Sequence, residues 1–167
     1  LVTELLAKLF KNKNFVGFDV SKDVEQFWNN RDKNLVKLKF KNSDLLKIKK
    51  RFDLVLCLDV FEHIPNYYQF LFELNSKGKL FIFNIPLDMS VIKIITPGIR
   101  IAREKVGHLH YFNKYTAIKT LEDCNYKILD CKLSAPFKKT LPRNKLQLLV
   151  LPLRFISLIL GDKLSSY

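Results

Sequence analysis

Glycine is scarce in this sequence, and that scarcity limits the kinds of nucleotide-binding loop it can contain. Only five glycines occur among 167 residues, and no two lie close enough together for a G-x-G-x-x-G phosphate loop. They are Gly17, Gly78, Gly98, Gly107 and Gly161. The residues given therefore contain no Gly-rich phosphate-binding loop.

Cysteine is also sparse, and its spacing excludes a thiolate metal knuckle. Cys57, Cys124 and Cys131 have no C-x-x-C arrangement, and all three lie in apolar surroundings. Buried free thiols in a reducing compartment explain this usage most economically. The sequence thus predicts a cytoplasmic protein whose cysteines are buried.

No apolar run is long enough to cross a bilayer. The longest such stretch, residues 146–160, contains Pro152 and Arg154 and falls short of the roughly 20 residues that a spanning helix needs. We predict a buried or lid helix within a C-terminal apolar helical segment, residues 136–167. The alternative is an interfacial helix that makes peripheral contact with a membrane.

Acidic residues are outnumbered, with 16 Asp and Glu against 29 Lys and Arg, which gives a net charge of +13. Such a balance is compatible with nucleic acid, an anionic membrane or an anionic substrate as partner. The basic residues are scattered, however, and the aromatic residues occupy core-like positions instead of alternating with them. A solvated basic surface is therefore favoured over a nucleic-acid groove. A hydrophobic content of 48% excludes a disordered chain.

Apolar periodicity alternates between the strand and helix patterns along the chain. Strands are predicted at residues 15–20, 35–40, 52–58, 80–85 and 126–133. Helices are predicted at residues 1–10, 22–30, 67–75, 89–95 and 116–125. The order predicts an α/β fold with a doubly wound, mostly parallel sheet. The helix at 89–95 lies in a long insert, Leu87–Gly107, of the kind that often covers a substrate site.

Polar residues follow the most apolar of these strands directly. Residues 52–58 resemble a strand buried on both faces of a parallel sheet, and Asp59, Glu62 and His63 come next. Ligands of open α/β sheets bind beyond the carboxyl ends of the strands. The sequence therefore predicts a functional site at Asp59, Glu62 and His63.

Taken in order, several segments resemble a class I S-adenosylmethionine-dependent methyltransferase. They are Val16–Ser21, Asn42–Leu45, Phe52–Pro65, Gly78–Leu80 and Gly107–Phe112. The resemblance implies a Rossmann-like sheet over residues 1–135 that is incomplete at both ends, because the family's first strand, its Gly-rich loop and its last strand have no counterpart. We therefore expect an internal fragment that begins at the helix after that loop and is inactive alone.

The same resemblance implies S-adenosylmethionine as cofactor and assigns its contacts. Asp19 would accept hydrogen bonds from both ribose hydroxyls, and Asp44 would accept one from the adenine amino group. The further contacts would be Val20, Leu45, Leu58 and Asp59, the last two beside the methionine portion. Each acid has a structural alternative: Asp19 as a turn acid at a strand end, and Asp44 as the N-cap of a short turn.

Catalysis would fall to His63 as general base, with Glu62 and His108 beside it. The acceptor would be a hydroxyl, amine or carbon of a small or lipid-linked molecule, since the long insert and the apolar C-terminal segment suit a hydrophobic substrate. Alternatively, His63 packs against or caps the helix at 67–75. His108 and His110 could likewise serve only to anchor their loop.

Asp59, Glu62 and His63 also resemble the ligands of metal-assisted relatives, including some quinone and small-RNA methyltransferases. With His108 or His110 they could hold a divalent ion. The resemblance favours an enzyme that needs no metal, and we assign no metal ligand from the sequence.

Three other functions are compatible with these residues. A nicotinamide-dependent oxidoreductase also places an acid after its second strand. A non-catalytic methyltransferase-like subunit would keep the fold without the activity. A basic module that binds RNA or a membrane would exploit the positive charge.

Overall fold

The computed structural model describes residues 2–29 and 32–133, and the chain divides into two compact units. The first unit ends at Phe52 and the second begins at Asp53. Each contains one pair of hydrogen-bonded strands. The predicted segment 136–167, with its helix at 146–160, lies outside the described residues.

The first unit alternates helices with parallel strands. Its elements are α1 (Val2–Leu9), β1 (Phe15–Asp19), α2 (Glu25–Asn29) and β2 (Leu38–Asn42). β1 and β2 run parallel with Asp19 opposite Asn42, so their carboxyl ends lie at the same edge. The helical turn that leads into α2 begins as predicted, because the Ser21 side chain accepts a hydrogen bond from the amide of Asp23.

β2 begins later than its alternating pattern predicts. Residues 32–38 form successive turns instead, in which the amide of Leu38 donates to the carbonyl of Leu35 at 2.9 Å. The Val36 side chain is 83% exposed, so the pattern there does not correspond to a buried face. Leu38 is buried, and Phe40 in the middle of β2 stacks on Trp28 with ring centroids 5.1 Å apart.

α1 forms as predicted, but its apolar face is largely uncovered. Among the described residues of this helix, only Ala7 is buried, whereas Leu5 and Leu9 are more than half exposed. Helical periodicity therefore predicted the backbone conformation of this segment correctly.

The second unit is built on a strand–helix–strand crossover. Its elements are β3 (Phe52–Leu58, whose first residue closes the first unit), α3 (Tyr67–Asn75), β4 (Gly78–Asn84), α4 (Val91–Ile95), α5 (Gly98–Ile101) and α6 (Lys114–Asp123). β3 and β4 are neighbours, and the amide of Asp59 donates to the carbonyl of Asn84 at 3.0 Å. The carboxyl ends of both strands therefore meet, as in a parallel pair.

The predicted bounds of β3 and α3 are confirmed to the residue, but the predicted burial of β3 is wrong. Val55 and Cys57 are buried, whereas Leu54 is 47% exposed. A two-stranded sheet covered on one face produces this alternation.

Aromatic rings form the core of the second unit. Phe61 is fully buried and makes edge contacts with Phe83 and Phe112, at centroid distances of 6.2 and 5.2 Å. Tyr126 packs edge-on against Phe83, and its hydroxyl donates to the carbonyl of Leu71 at 2.8 Å. These contacts join α3, β4 and the segment after α6.

The strand predicted at residues 126–133 does not form. The described residues 126–133 have no strand conformation, and Leu129 and Leu133 are exposed. Tyr126 alone carries the burial that the apolar pattern predicted for the whole segment. The prediction of buried thiols is likewise wrong for Cys131, which is exposed, whereas Cys57 and Cys124 are buried.

The insert is mostly helical. α4 covers much of the predicted helix at 89–95, and α5 is followed by a turn of π-helix, Ala102–Val106. Gly107 ends that turn in the left-handed conformation, with φ of 84°, which glycine adopts without strain. Nowhere in the described ranges does a helix combine the length and apolar character needed to cross a bilayer.

Candidate functional site

The two acids predicted to bind the cofactor in the first unit both have structural roles. Asp19 ends β1, and its Oδ1 accepts a hydrogen bond from the amide of Ser21 at 2.9 Å. Asp44 caps the short 3₁₀ helix Leu45–Lys47, because its Oδ1 accepts from the amide of Leu46 at 2.8 Å. The turn alternatives for both acids are confirmed. Their cofactor roles, and those of exposed Val20 and half-buried Leu45, stay predictions.

The first unit contains a cavity that is lined in part by residues of β2 but not by Asp19 or Asp44. Its volume is about 450 Å³, and Glu25, Trp28, Asn29, Lys33, Phe40 and Asn42 line it. Asp19 and Asp44 are not among the lining residues. The cavity therefore gives no support to the predicted cofactor contacts.

Asp59 occupies an unusual backbone conformation at the end of β3. Its φ is 51°, in the left-handed region that few residues other than glycine adopt. Its Oδ1 accepts a hydrogen bond from the Asn84 side chain at 2.8 Å, which directs the carboxylate toward the end of β4. Leu58 beside it is half-buried.

Glu62 is fully buried, and its carboxylate has no hydrogen-bond partner within the described part of the chain. Its main-chain carbonyl, in contrast, accepts hydrogen bonds from the amides of Leu109 at 2.8 Å and His110 at 3.2 Å. Burial raises the pKa of Glu62, and the proximity of its own main-chain amide and of His63 opposes that rise only in part. A buried carboxyl group without a hydrogen bond is rare enough to require an explanation.

Two histidines lie next to this carboxylate. His63 Nδ1 donates to the carbonyl of Gly107 at 3.1 Å, and His63 Nε2 lies 4.0 Å from Glu62 Oε1. The His108 ring meets the His63 ring edge-on, with centroids 4.8 Å apart. Asn66, and not His63, caps α3, so the capping alternative for His63 is wrong.

His108 is held by an acid that the sequence analysis missed. Asp88 is buried, and its Oδ2 lies 2.5 Å from His108 Nδ1, while its Oδ1 pairs with Lys93. Burial alone would raise the pKa of Asp88, but the hydrogen bonds from Lys93 and His108 outweigh it and hold that pKa below its usual range. The signal was present, because Asp88 lies beyond the end of β4 at the same distance along the chain as Glu62 lies beyond the end of β3.

His110 takes the anchoring role that the sequence left open. Its Nε2 donates to the carbonyl of Ile64 at 3.0 Å, and the centroids of its ring and the Tyr67 ring are 4.5 Å apart. His110 therefore fixes its own loop to the segment before α3.

Comparisons with known proteins agree with this fold. Residues 1–79 match the family model described as a methyltransferase domain. The predicted resemblance to class I methyltransferases is confirmed. The matched part of this methyltransferase-like chain contains Asp19, Asp44, Asp59, Glu62 and His63, but not Asp88 or His108.

A solved structure supports the same architecture. The chain is similar to a protein from Bacillus halodurans C-125 named "putative methyltransferase", with a TM-score of 0.52 and 18% sequence identity over 73% of this chain. The match spans 58% of the length of that protein. At this identity the likeness shows the fold, and it confirms the predicted Rossmann-like α/β class. No curated protein matches the chain.

Within the second unit of this methyltransferase fold, three side chains form a group that we call the Glu62 cluster. It consists of Glu62, His63 and His108, and one potential ligand atom from each lies within 4.8 Å of the others. Asp59 and His110, which the resemblance also suggested as ligands, are not part of it. The Glu62 cluster can exchange a proton with a substrate or hold a cation.

Proposed function

We propose that this chain belongs to an S-adenosylmethionine-dependent methyltransferase. The reaction would transfer a methyl group to a hydroxyl, amine or carbon of a small or lipid-linked acceptor. The match of residues 1–79 to a methyltransferase domain carries this proposal, since it includes the acids to which the resemblance gives cofactor roles.

The free carboxylate oxygens of the first unit support these roles. Asp19 and Asp44 each use Oδ1 for a local amide, and neither Oδ2 has a partner in the ranges that the structure describes. An ionised carboxylate with a free oxygen suits a ribose hydroxyl or an adenine amino group. In the second unit, we propose that Leu58 and Asp59 contact the methionine portion.

The cofactor, when bound, supplies a methyl group on a sulfonium that is already a good leaving group. The chain must then mainly hold the acceptor in line, and orientation of this kind is worth roughly 7–11 kcal/mol. We propose that His63 holds the proton that a hydroxyl or amine acceptor gives up. Its Nδ1 is committed to Gly107, which leaves Nε2 as the basic atom in the neutral ring.

The surface of the insert supports a hydrophobic acceptor. Ile94, Ile95 and Ile101 are each close to half exposed or more, and Arg100 and Lys105 are exposed in the same segment. An apolar surface that carries positive charge suits a lipid-linked acceptor with an anionic group.

Isothermal titration calorimetry of the full-length protein that contains these residues tests the proposal. We expect saturable heat with S-adenosylmethionine and with its demethylated product, and none with NADH. Binding of NADH without S-adenosylmethionine would support the oxidoreductase alternative instead. Absence of both would leave the non-catalytic alternatives and overturn our proposal.

A further inference from the structure

We propose that the Glu62 cluster binds one divalent transition-metal ion. Its ligands would be the carboxylate of Glu62 and the Nε2 atoms of His63 and His108. The role of such an ion in methyl transfer rests on the proposed function. A bound ion would occupy the Nε2 lone pair of His63, so the ion and not His63 would then promote loss of the acceptor's proton. Its binding rests only on the geometry of the second unit and can be measured without any turnover.

The unpaired carboxylate of Glu62 is the first argument. The residue has no exposed surface, and neither carboxylate oxygen has a hydrogen-bond partner within residues 2–29 and 32–133. An ionised carboxylate buried without a partner is strongly disfavoured, and proteins satisfy such groups with an opposite charge or a metal. The nearest candidate partners are two imidazoles, which offer lone pairs rather than a fixed positive charge.

The second argument is that each imidazole is already oriented as a ligand. His63 donates its Nδ1 proton to the carbonyl of Gly107, and His108 Nδ1 faces Asp88. Metal-binding histidines characteristically donate their other ring N–H to a backbone carbonyl or a carboxylate. Both arrangements occur here, and both leave Nε2 as the ligand atom.

The third argument concerns distance. Ligand atoms bound about 2 Å from an ion lie roughly 3 to 4 Å apart. One potential ligand atom from each of the three residues lies within 4.8 Å of the others, and His63 Nε2 is 4.0 Å from Glu62 Oε1. We expect side-chain rotation to close this gap. Main-chain hydrogen bonds from Leu109 and His110 to the carbonyl of Glu62 hold the two backbone segments that carry the ligands together.

The donor set selects the class of ion. Two imidazoles with one carboxylate suit Zn²⁺, Co²⁺ or Fe²⁺, whereas Mg²⁺ prefers oxygen ligands. Asp59 would be the second carboxylate of an oxygen-rich site, but it is not part of the Glu62 cluster, and its Oδ1 accepts a hydrogen bond from Asn84. Three protein ligands leave a coordination position open for water or for an acceptor oxygen. The site therefore fits an acceptor that presents a hydroxyl group.

Titration of the tag-free, chelator-treated full-length protein tests this site, in a Cys131→Ser background that removes the exposed thiol. We expect one Zn²⁺ or Co²⁺ per chain, a rise in the unfolding temperature with Zn²⁺, and no response to Mg²⁺. Glu62→Gln should leave the metal-free protein equally or more stable, because it removes an unpaired buried charge. The same variant should lose the Zn²⁺-dependent rise.

Matched variants separate this site from surface binding. Asp88→Asn should weaken Zn²⁺ binding by about 10- to 100-fold through the His108 ring, as loss of such a partner does elsewhere. His110→Asn and Asp59→Asn should leave the affinity unchanged, because those side chains point to Ile64 and Asn84.

Two results would overturn the proposal: no stoichiometric Zn²⁺, or unchanged binding in both Glu62→Gln and His108→Asn. Calorimetry with S-adenosylmethionine on the same samples distinguishes the two proposals. If the protein binds S-adenosylmethionine but not Zn²⁺, only the metal-site proposal is refuted. If the protein binds Zn²⁺ but not S-adenosylmethionine, the proposed function is refuted and the metal-site proposal stands.

Discussion

Asp59 and Asn84 are joined by two hydrogen bonds, one through the main chain at 3.0 Å and one between their side chains at 2.8 Å. These two bonds join the carboxyl end of β3 to that of β4. Asp59 makes both bonds from a left-handed backbone conformation, with φ of 51°. The predicted site therefore starts from a strand end whose geometry depends on one residue.

Replacement of Asp59 should depend strongly on the new side chain. Asp59→Val should lower the free energy of unfolding by about 1–2 kcal/mol, because a β-branched residue is disfavoured in the left-handed region. Asp59→Asn should change it by less than about 0.5 kcal/mol, since asparagine tolerates that region and keeps an acceptor oxygen. Urea denaturation followed by far-UV circular dichroism measures both. Equal losses in the two variants would contradict the argument.

The Tyr126 hydroxyl should contribute measurably to stability. Tyr126→Phe keeps the ring against Phe81 and Phe83 but removes the bond to the Leu71 carbonyl, so we expect a loss of about 1 kcal/mol. Tyr115→Phe is the control, because that side chain is 66% exposed. Thermal unfolding of both variants checks the difference, and a similar effect in each would refute it.

Asp19→Asn should weaken S-adenosylmethionine binding in the full-length protein by about 10-fold or more, the usual loss for a hydrogen bond to a charged group. The fold should persist, because an asparagine oxygen can still accept from the Ser21 amide. Asp23→Asn removes an exposed acid nearby and should have little effect. Calorimetry compares the two affinities. An equal loss in both would point to general electrostatics and not to a ribose contact.

The three cysteines should differ sharply in their reactivity with iodoacetamide. Burial, together with the nearby carboxylates of Glu62 and Asp59, raises the pKa of Cys57 to about 12. At pH 8 we therefore expect iodoacetamide to label exposed Cys131 in the native protein and to spare Cys57 and Cys124. Peptide mass spectrometry reads out each site. Rapid labelling of Cys57 without denaturant would show that it is not buried as described.

The raised pKa of Cys57 also predicts how the free energy of unfolding changes at alkaline pH. A Cys57 thiol in the unfolded chain ionises near its ordinary pKa of 9.0, whereas in the folded chain it stays protonated up to about pH 12. Its contribution to stability is therefore complete below pH 9 and declines as the pH rises toward 12. Cys57→Ala should reduce the alkaline loss of stability measured by urea denaturation.

Local pattern was enough to predict β3 and α3 to the residue. β3 is a continuous apolar run, and α3 begins after Asn66, whose side chain caps it. The pattern failed at residues 126–133, because apolar residues recur there without a neighbouring strand in the described chain. It also failed for the burial of Leu54, since burial depends on what covers a face and not on the face itself.

The Glu62 cluster shows the same limit at the level of the site. The sequence named Glu62, His63 and His108, yet nothing local indicates that Glu62 is unpaired or that His110 turns away. The orientation of His110 depends on its hydrogen bond to the carbonyl of Ile64, 46 residues away in the sequence, and local pattern does not show such a contact. Asp88 could have been found by applying the strand-end rule to β4 as well as to β3.

The bonds from Leu109 and His110 to the carbonyl of Glu62 involve only main-chain atoms. Substitution of the Leu109 side chain would therefore leave that attachment in place. Position 109 can therefore vary in sequence while the imidazole of the preceding residue keeps its alignment. The attachment of this segment tolerates mutation in a way that an attachment through side chains would not.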